Sequence, residues 1–582
     1  MWPHASELSG LLRDHVRARR TQVAWLVVLH SLQSVALLYL PTLSADIIDN
    51  GVLAGDTGHI WRVGALMIGV TVVQVVCLAA AVRLGAYTAL SVGRDLREAM
   101  FARVLDLSTT ELATLGTPSL ITRTANDVQQ IQTFLLTGLT VLVAAPVMGI
   151  GGVVLALGQD VPLALLLLVM VPVIGSLMLV IVRRLRPLQR ILQRSADSVN
   201  GVLREQVVGV RVIRAFNRDE YERRRFADIN TELTEVGIRS GRLSTLMLPL
   251  AATVTTLFCV PVVWIGAYRV DAGQMQVGAL TAFLGYLAQI LVGIISATFA
   301  LMALPRAEAS AERVAEVLRT KTSVVPPAKP VTRLPRPGHL ELREVEYRLP
   351  GAEAAVLRGV DLVARPGETI AVVGSTGSGK STLLALIARL ADVTAGRILV
   401  GGVDVRELDR ATLSREVCLV PQRAGLFAGT IASNLRFWRP GVPDDELWRA
   451  LETAQAREFV ERMGKGLNSA VTQGGGNLSG GQRQRLAIAR ALVVRPRIYL
   501  FDDSFAALDY RTDGRLRAAL AAETADAAVV LVSQRVATIQ HAHRILVLEE
   551  GAIAGVGTHH ELLAGNAVYR EIVQSQLAEE PA

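Results

Sequence analysis

A glycine-rich stretch in the second half of the chain has the residue types that bind phosphate. In IAVVGSTGSGKSTLLALIARL an apolar strand, predicted at 370–373, meets a turn and then a helix. The turn glycines let backbone N–H groups curl around phosphate oxygens, and the helix N-terminus adds its positive dipole. Lys380 can reach the β- and γ-phosphates of ATP, and the Ser381 hydroxyl can ligate Mg²⁺. The predicted contacts are Gly374, Ser375, Thr376, Gly377, Ser378, Gly379, Lys380, Ser381 and Thr382.

A second turn of this kind lies about a hundred residues further on, in NLSGGQRQRLAIARAL. Small residues precede a strongly helical run, so free N–H groups and a helix dipole again point to where an anion could dock. The predicted contacts are Leu478, Ser479, Gly480, Gly481 and Gln482. One chain therefore carries two predicted phosphate-binding turns.

The composition predicts a membrane protein. The chain has 582 residues, of which 51% are hydrophobic, and its mean hydropathy is +0.39. The net charge of +8 comes from basic residues clustered beside apolar runs, where lipid headgroups explain them better than nucleic acid does. Cys77, Cys259 and Cys418 are scattered, which suits neither a disulfide framework nor a metal site.

Three regions follow from the patterning. Residues 1–320 are predicted as a transmembrane domain with an amphipathic N-terminal helix on the membrane surface, 321–337 as a proline-rich linker, and 338–582 as a soluble α/β nucleotide-binding domain. Long polar stretches between spans keep helical periodicity, so we expect the helices to continue beyond the bilayer. The predicted spans are 22–43, 61–84, 134–157, 162–182, 243–268 and 277–303.

The distribution of charge predicts topology and excludes some energy sources. Arginines concentrate in 1–21 and 183–242, which places both termini on the cytoplasmic side of a bacterial plasma membrane, and no cleavable signal peptide is expected. The predicted spans contain no Asp or Glu, whereas carriers driven by ion gradients usually need an intramembrane carboxylate. Four polar side chains at membrane depth either bond between helices or line a substrate cavity: His30, Gln33, Gln74 and Gln289.

Five ordered motifs resemble those of the ATP-binding cassette (ABC) superfamily, specifically half-transporters of the multidrug-exporter (type IV) kind. They are GSTGSGKST as Walker A, LVPQRAGLFAGTIASNL as the Q-loop region, LSGGQ as the signature, IYLFDD as Walker B and AALD as the D-loop. The resemblance covers essentially the whole chain. It implies that two nucleotide-binding domains meet head to tail, with each ATP between the Walker A of one subunit and the signature of the other.

The same resemblance implies roles for single residues. Asp502 would hold Mg²⁺ through water, Gln422 would sense that ion, and Asp509 of the D-loop would contribute to the nucleotide interface. Closing of the dimer around ATP would turn the membrane helices from inward- to outward-facing, and hydrolysis would reset them. Coupling is expected through cytoplasmic helix tips near 126–132 and 215–223.

Three positions depart from the family pattern. Asp503 lies where the family usually has a glutamate that activates the attacking water. Gln534 in LVSQR takes the switch-histidine position, and glutamine cannot carry positive charge to the γ-phosphate. Leu349 replaces an aromatic that stacks on adenine. Tyr347, two residues earlier, either substitutes for that aromatic or belongs to the core.

These departures favour a heterodimer with unequal ATP sites. This chain would contribute a degenerate site and an intact signature, and the partner half-transporter would have the competent site with Glu and His. The leading function is ATP-driven export of an amphipathic, lipidic or drug-like solute. The alternatives are a siderophore-type importer with an exporter fold, or an ATP-gated channel or regulatory subunit. Homodimerisation with two slow sites also remains open.

Overall fold

The computed structural model describes residues 5–577, so the outermost residues of the predicted domains 1–320 and 338–582 lie outside the described part. The chain forms two compact units. The first consists of residues up to 105 together with 116–320, and the second of 106–115 together with 321 onward.

The first unit is helical. Apolar runs with few breakers form very long helices, and the prolines at 41, 146, 172, 187, 261 and 305 lie inside them without ending them. Short π-helical turns occur at Ile47–Val52 and Arg123–Asp127. The helices of residues 5–319 are α1 Ala5–Ala18, α2 Arg20–Asp46, α3 Thr57–Asp106, α4 Thr109–Leu115, α5 Thr117–Thr122, α6 Val128–Gln159, α7 Val161–Ala215, α8 Asp219–Thr245, α9 Met247–Asp271 and α10 Val277–Arg319.

The prediction of six spans is confirmed. Within the described residues six helical segments are long and apolar enough to cross a membrane, and each contains one predicted span. As expected, these helices continue well beyond a bilayer's thickness: α7 alone has 55 residues, whereas about 20 suffice to cross the hydrocarbon core. The N-terminal stretch predicted to be amphipathic forms α1.

One of the four polar side chains predicted at membrane depth forms a hydrogen bond between helices. Gln289 on α10 donates from Nε2 to the Leu37 carbonyl of α2 at 3.0 Å, as the interhelical interpretation predicts. His30 and Gln33 are buried in α2. At one end of α7, Asp160 caps the helix by accepting from Leu163 N, and it also accepts from Arg269 at 2.9 Å.

A close contact fixes the start of α10 against α2. The Gly278 N–H donates to Asp49 Oδ1 at 2.6 Å. A Cβ on Gly278 would lie 2.7 Å from the Ala45 Cα and closer still to the Ala45 carbonyl oxygen. Backbone atoms cannot move aside as a flexible side chain can, so only glycine fits at this position.

The second unit is an α/β domain with a six-stranded sheet, a four-stranded antiparallel sheet and a two-stranded ribbon. In the six-stranded sheet the order is β12-β11-β3-β10-β9-β6, and all neighbours are parallel except β11 and β12. The four-stranded sheet has the order β2-β1-β4-β5. The strands of the described residues are β1 Leu340–Tyr347, β2 Leu357–Ala364, β3 Thr369–Gly374, β4 Ala395–Val400, β5 Val403–Asp404, β6 Val417–Val420, β7 Gly429–Thr430, β8 Ala470–Val471, β9 Ile498–Asp502, β10 Ala528–Val532, β11 Arg544–Glu549 and β12 Ala552–Gly557.

Helices pack on the six-stranded sheet, and the buried apolar residues form separate clusters. One apolar cluster lies between the antiparallel sheet and the parallel strands, and a second joins the helices after β6 to β9 and β10. Short 3₁₀ turns occur at Val405–Glu407, Gly466–Asn468 and Gln473–Gly475. The remaining helices are α11 Lys380–Ile387, α12 Arg410–Glu416, α13 Ile431–Leu435, α14 Asp444–Thr453, α15 Arg457–Arg462, α16 Gly480–Val494, α17 Tyr510–Glu523, α18 Val536–Ile539, α19 His559–Gly565 and α20 Ala567–Leu577.

One short piece of the N-terminal half belongs to the α/β unit. In residues 106–115, the Thr109 hydroxyl donates to the Leu390 carbonyl at 2.9 Å, and the Ser108 and Ser323 hydroxyls are 3.1 Å apart. The expected coupling segment 126–132 instead lies in the helical unit, where Asp127 accepts from Arg313 Nε at 2.7 Å. Coupling through 126–132 and 215–223 stays a prediction.

The contact at Gly278 gives a test of the helical packing. Gly278→Ala should separate the ends of α2 and α10 and lower the midpoint of thermal unfolding in detergent by about 2–4 °C, because overpacking costs about 1–3 kcal/mol. Gly69→Ala is the matched control: it lies inside α3 with open space around its Cα, so alanine's better helix propensity should leave the midpoint unchanged or raise it. Equal midpoints for the two variants would contradict the contact.

Candidate nucleotide-binding site

The phosphate-binding loop joins β3 to α11. Gly379 has φ +94°, a conformation that favours glycine, and a Cβ there would lie 2.6 Å from Leu357 Cδ2 and 3.0 Å from the Val356 carbonyl oxygen. Helix α11 begins at Lys380, immediately after this glycine. The sequence prediction of strand, turn and helix is confirmed.

Lys380 turns its amino group back into the loop. Its Nζ donates to the Gly374 carbonyl at 2.8 Å and the Ser375 carbonyl at 2.6 Å. Burial lowers the pKa of Lys380, while the charges of Asp503 and Asp502 oppose that shift. The ammonium therefore already lies inside the phosphate-binding loop. A change in the Lys380 side-chain rotamer would bring it to a phosphate bound there.

Asp502 and Ser381 form an oxygen pair at the end of β9. The Ser381 hydroxyl donates to Asp502 Oδ1 at 2.8 Å. Burial raises the Asp502 pKa, and the Ser381 hydrogen bond and the Lys380 charge oppose the rise. A hydroxyl and a carboxylate are hard oxygen ligands that suit Mg²⁺, which takes its other ligands from water and phosphate. The residues therefore fit an ATP-bound Mg²⁺. The described residues contain no group of three or more His, Cys, Asp and Glu side chains that could hold a metal ion by themselves.

Asp503 has an unusual backbone and a shifted pKa. Its φ is +45°, and its N–H donates to the Val532 carbonyl at 3.0 Å. Its carboxylate lies 3.5 Å from Gln422 Nε2, at the limit of a hydrogen bond. Burial raises its pKa, as does the adjacent Asp502 charge, against the opposing Gln422 contact.

The structure brings most predicted residues of the first turn around one cavity of about 230 Å³. Gln534 belongs to this lining and its side chain is exposed. Sequence reasoning missed two apolar lining residues, Val356 and Val532, because their types carry no chemical signal. The lining consists of Val356, Thr376, Gly377, Gly379, Lys380, Ser381, Thr382, Gln422, Asp502, Asp503, Val532 and Gln534.

The second turn does not line this cavity. Ser479 is the N-cap of α16 and forms a capping box with Gln482: Gln482 N donates to Ser479 Oγ at 3.2 Å, and Ser479 N donates to Gln482 Oε1 at 2.9 Å. Leu478 is buried beneath it. Asp509 lies outside the cavity as well, where its side chain caps α17.

Tyr347 is placed in the core. Only 7% of it is exposed, and it belongs to the apolar cluster under the antiparallel sheet, whereas Leu349 is 48% exposed. Tyr347 does not line the cavity beside Lys380. The packing favours the core interpretation, and adenine stacking by Tyr347 stays a prediction.

The fold and the site define a multi-pass membrane protein with a P-loop ATP-binding domain. Residues 23–295 match the ABC transporter transmembrane region family, and residues 357–506 match the ABC transporter family. The chain is 47% identical over 98% of its length to an uncharacterized ABC transporter ATP-binding protein of Mycobacterium tuberculosis, of which 98% is covered. It belongs to the ABC transporter family, as an exporter-type ATPase with a cytosolic ABC domain.

Two further comparisons support this assignment. The ATP-dependent lipid A-core flippase of Bordetella pertussis is 31% identical, covering 93% of this chain and 87% of that protein. A bacterial Atm1-family ABC exporter, solved with ATP bound, superposes with a TM-score of 0.81 over 97% of this chain and 99% of its own, at 23% identity. The latter likeness shows the fold.

The raised pKa of Asp503 gives a pH-dependent prediction. Because the folded pKa lies above the ordinary value, the ionised carboxylate opposes folding once pH rises through that pKa, and the effect vanishes below the ordinary pKa. Asp503→Asn should therefore raise the unfolding midpoint of the nucleotide-free chain in EDTA by about 2 °C at pH 7.5. At the lowest pH at which the chain stays folded this gain should shrink. An equal gain at both pH values would point to the φ +45° backbone, which asparagine tolerates well.

Proposed function

We propose that this protein is one half of a heterodimeric exporter, in which its own ATP site hydrolyses slowly and its signature turn completes the partner's site. The partner would be a second ABC half-transporter with the competent Glu and His. The observation that carries the proposal is the place of Asp503, beside the Mg²⁺-binding pair in the cavity that Lys380 serves.

The aspartate at this position is short for activating water. Its carboxylate lies about 1.5 Å nearer the backbone than a glutamate's would, because it lacks one methylene. Its backbone N–H is fixed to the Val532 carbonyl at 3.0 Å, which limits how far the chain can shift to compensate. Misplacement by about 1 Å can cost a hundredfold in rate.

Gln534 weakens the same site by a second route. Its amide can donate a hydrogen bond to a γ-phosphate oxygen but carries no charge to stabilise the transition state. The other groups remain suited to binding. Lys380 would contact the β- and γ-phosphates, Ser381 and Asp502 would hold Mg²⁺ directly and through water, and Gln422 would adjoin that ion. Bound Mg²⁺ would neutralise charge on the phosphates. The site is therefore suited to hold ATP and hydrolyse it slowly.

The intact signature supports the unequal arrangement. Ser479 and Gln482 preorganise the start of α16 through their reciprocal hydrogen bonds. This turn lies outside the cavity of its own Lys380, so it is available to a nucleotide held by another chain. Asp509 at the N-terminus of α17 would lie at the same interface.

The substrate class follows from a second cavity, in the helical unit. It has a volume of about 1050 Å³ and is lined by α6, α7 and α10. The lining is aliphatic except for Thr298 and Arg186, and the Thr298 hydroxyl is already bonded to the Ile294 carbonyl at 2.7 Å. A large apolar chamber with one cationic residue suits an amphipathic or lipidic solute. The lipid A-core flippase and a putative multidrug export protein among the relatives are consistent with such cargo.

The arginine distribution supports cytoplasmic termini and a plasma-membrane location. With the ABC domain cytosolic, ATP binding there would close the dimer and hydrolysis would reset it. Membrane lipid is therefore both the surroundings and a candidate cargo.

The unequal-site proposal is tested in the complex purified with a candidate partner. Ser479→Ala in this chain should lower the complex's ATPase rate by about tenfold or more, because it weakens the partner's site. Asp503→Ala should leave most of the rate intact. A vigorous ATPase from this chain alone, lost in Asp503→Ala, would contradict the proposal.

Restoration is the complementary prediction. Asp503→Glu with Gln534→His should raise the ATPase rate at this chain's own site by about tenfold to a hundredfold. ATP affinity, measured with a fluorescent analogue, should change little. The control is the same pair of substitutions with Lys380→Ala, which should abolish the gain.

The cargo proposal is tested by filling the apolar cavity. Gly149 on α6 and Gly175 on α7 line it with open space around their Cα atoms. Gly149→Trp or Gly175→Trp should abolish translocation of a fluorescent phospholipid by vesicles carrying the complex, while Gly69→Trp outside the cavity should not. Uptake instead of release, measured in vesicles of both orientations, would identify an importer. ATP-dependent ion currents would identify a channel.

A further inference from the structure

The loop that carries Gln534 is held by a side chain from the far end of the chain. We define this switch loop as residues 533–535, between β10 and α18. Gln576 on α20 accepts from Val536 N at 2.8 Å through Oε1, and its Nε2 donates to the Gln534 carbonyl. One amide thus pairs with a backbone acceptor and a backbone donor on either side of residue 535.

The opposite flank of the switch loop is tied to the D-loop. The Arg535 guanidinium donates to the Ala506 and Leu508 carbonyls, each at 3.0 Å, and lies 5.2 Å from the centre of the Tyr510 ring. The two carbonyls and the Tyr510 ring therefore hold the Arg535 guanidinium against the segment that leads into α17. Arg535 is half-buried, so these contacts are partly shielded from water.

The helix that supplies Gln576 is firmly anchored. Tyr569 on α20 is fully buried, Val573 is buried beside it, and the Tyr569 hydroxyl lies 2.8 Å from His559 Nδ1. Gln576 stands one turn beyond Val573. Gln576 therefore anchors the switch loop to α20 through contacts that do not involve the phosphate-binding loop.

We propose that Gln576 and Arg535 are positioning residues, which set the place of residue 534 relative to the γ-phosphate and link it to the C-terminal helix and the D-loop. The proposal rests on the role given to Gln534 above. It adds that α20 and the D-loop both restrain the switch loop, so that a loss of either contact frees the loop without emptying the site.

The direct test measures backbone exchange. In Gln576→Ala, hydrogen–deuterium exchange at the Val536 amide should rise about tenfold or more with the ATP analogue and Mg²⁺ bound, because that amide loses its acceptor. Gln574→Ala is the matched control, since it removes an exposed amide two residues away on the same helix. Unchanged exchange at Val536 in Gln576→Ala would overturn the proposal.

The kinetic test separates positioning from stability. In the Asp503→Glu, Gln534→His chain, adding Gln576→Ala should lower kcat about tenfold with KM for ATP nearly constant. Gln576→Glu, which keeps the acceptor for Val536 but loses the donor to the Gln534 carbonyl, should fall between. A parallel loss of ATP affinity and thermal midpoint would indicate a structural role and overturn the proposal. A different outcome is that the Asp503→Glu, Gln534→His chain is no faster than the unsubstituted chain while Gln576→Ala still raises exchange at Val536. That result would contradict the role proposed for Gln534 and support the hydrogen bonds of Gln576 to the switch loop.

The D-loop contact has its own pair of variants. Arg535→Ala should raise hydrogen–deuterium exchange in 506–509 and lower kcat of the Asp503→Glu, Gln534→His chain. Arg535→Lys should restore only part of the lost kcat, because a single ammonium cannot reach both carbonyls as the guanidinium does. Arg515→Ala removes an equal charge from the exposed face of α17 as the control. Equal exchange in the Arg535 and Arg515 variants would overturn this part of the proposal.

Discussion

The parallel pairing of β3, β10 and β9 is the constraint on which the site depends. Val532 pairs with Val372 on one side and with Asp502 on the other. The carboxyl ends of all three strands therefore lie at one edge of the sheet, and each leads directly into a functional segment: the phosphate-binding loop, the adjacent acids and the switch loop. A one-residue slip between β10 and β9 would turn Asp502 to the other face and separate it from Ser381.

The charges at this edge are arranged for a ligand more than for stability. Burial raises the pKa values of Asp502 and Asp503 and lowers that of Lys380, so each group is held against its preferred hydration. Asp503 adds a left-handed φ of +45°. Functional sites commonly store strain and desolvation of this kind. Bound phosphate and Mg²⁺ would supply the opposite charges that the protein itself only partly provides.

Sequence reasoning succeeded where the chemistry is contiguous. The phosphate-binding loop and the capped start of α16 are local, because a few neighbouring residues set both conformation and function. It failed or stayed open where distant segments meet. Nothing around Gln576 shows that it will contact Gln534, 42 residues away. A tyrosine suits both adenine stacking and core packing, so the residue type at position 347 does not distinguish the two roles.

The acidic residues of the helical unit lie outside the predicted membrane spans. The six predicted spans contain no acidic residue, and two carboxylates at helix ends are paired with arginines: Asp160 with Arg269 and Asp127 with Arg313. These ion pairs join helices, and Asp160 also caps α7. As an exporter-type ABC transporter, the chain uses ATP as the energy source for transport. The slow site proposed above would still serve transport, because ATP bound there would stabilise a closed state whether or not it is soon hydrolysed.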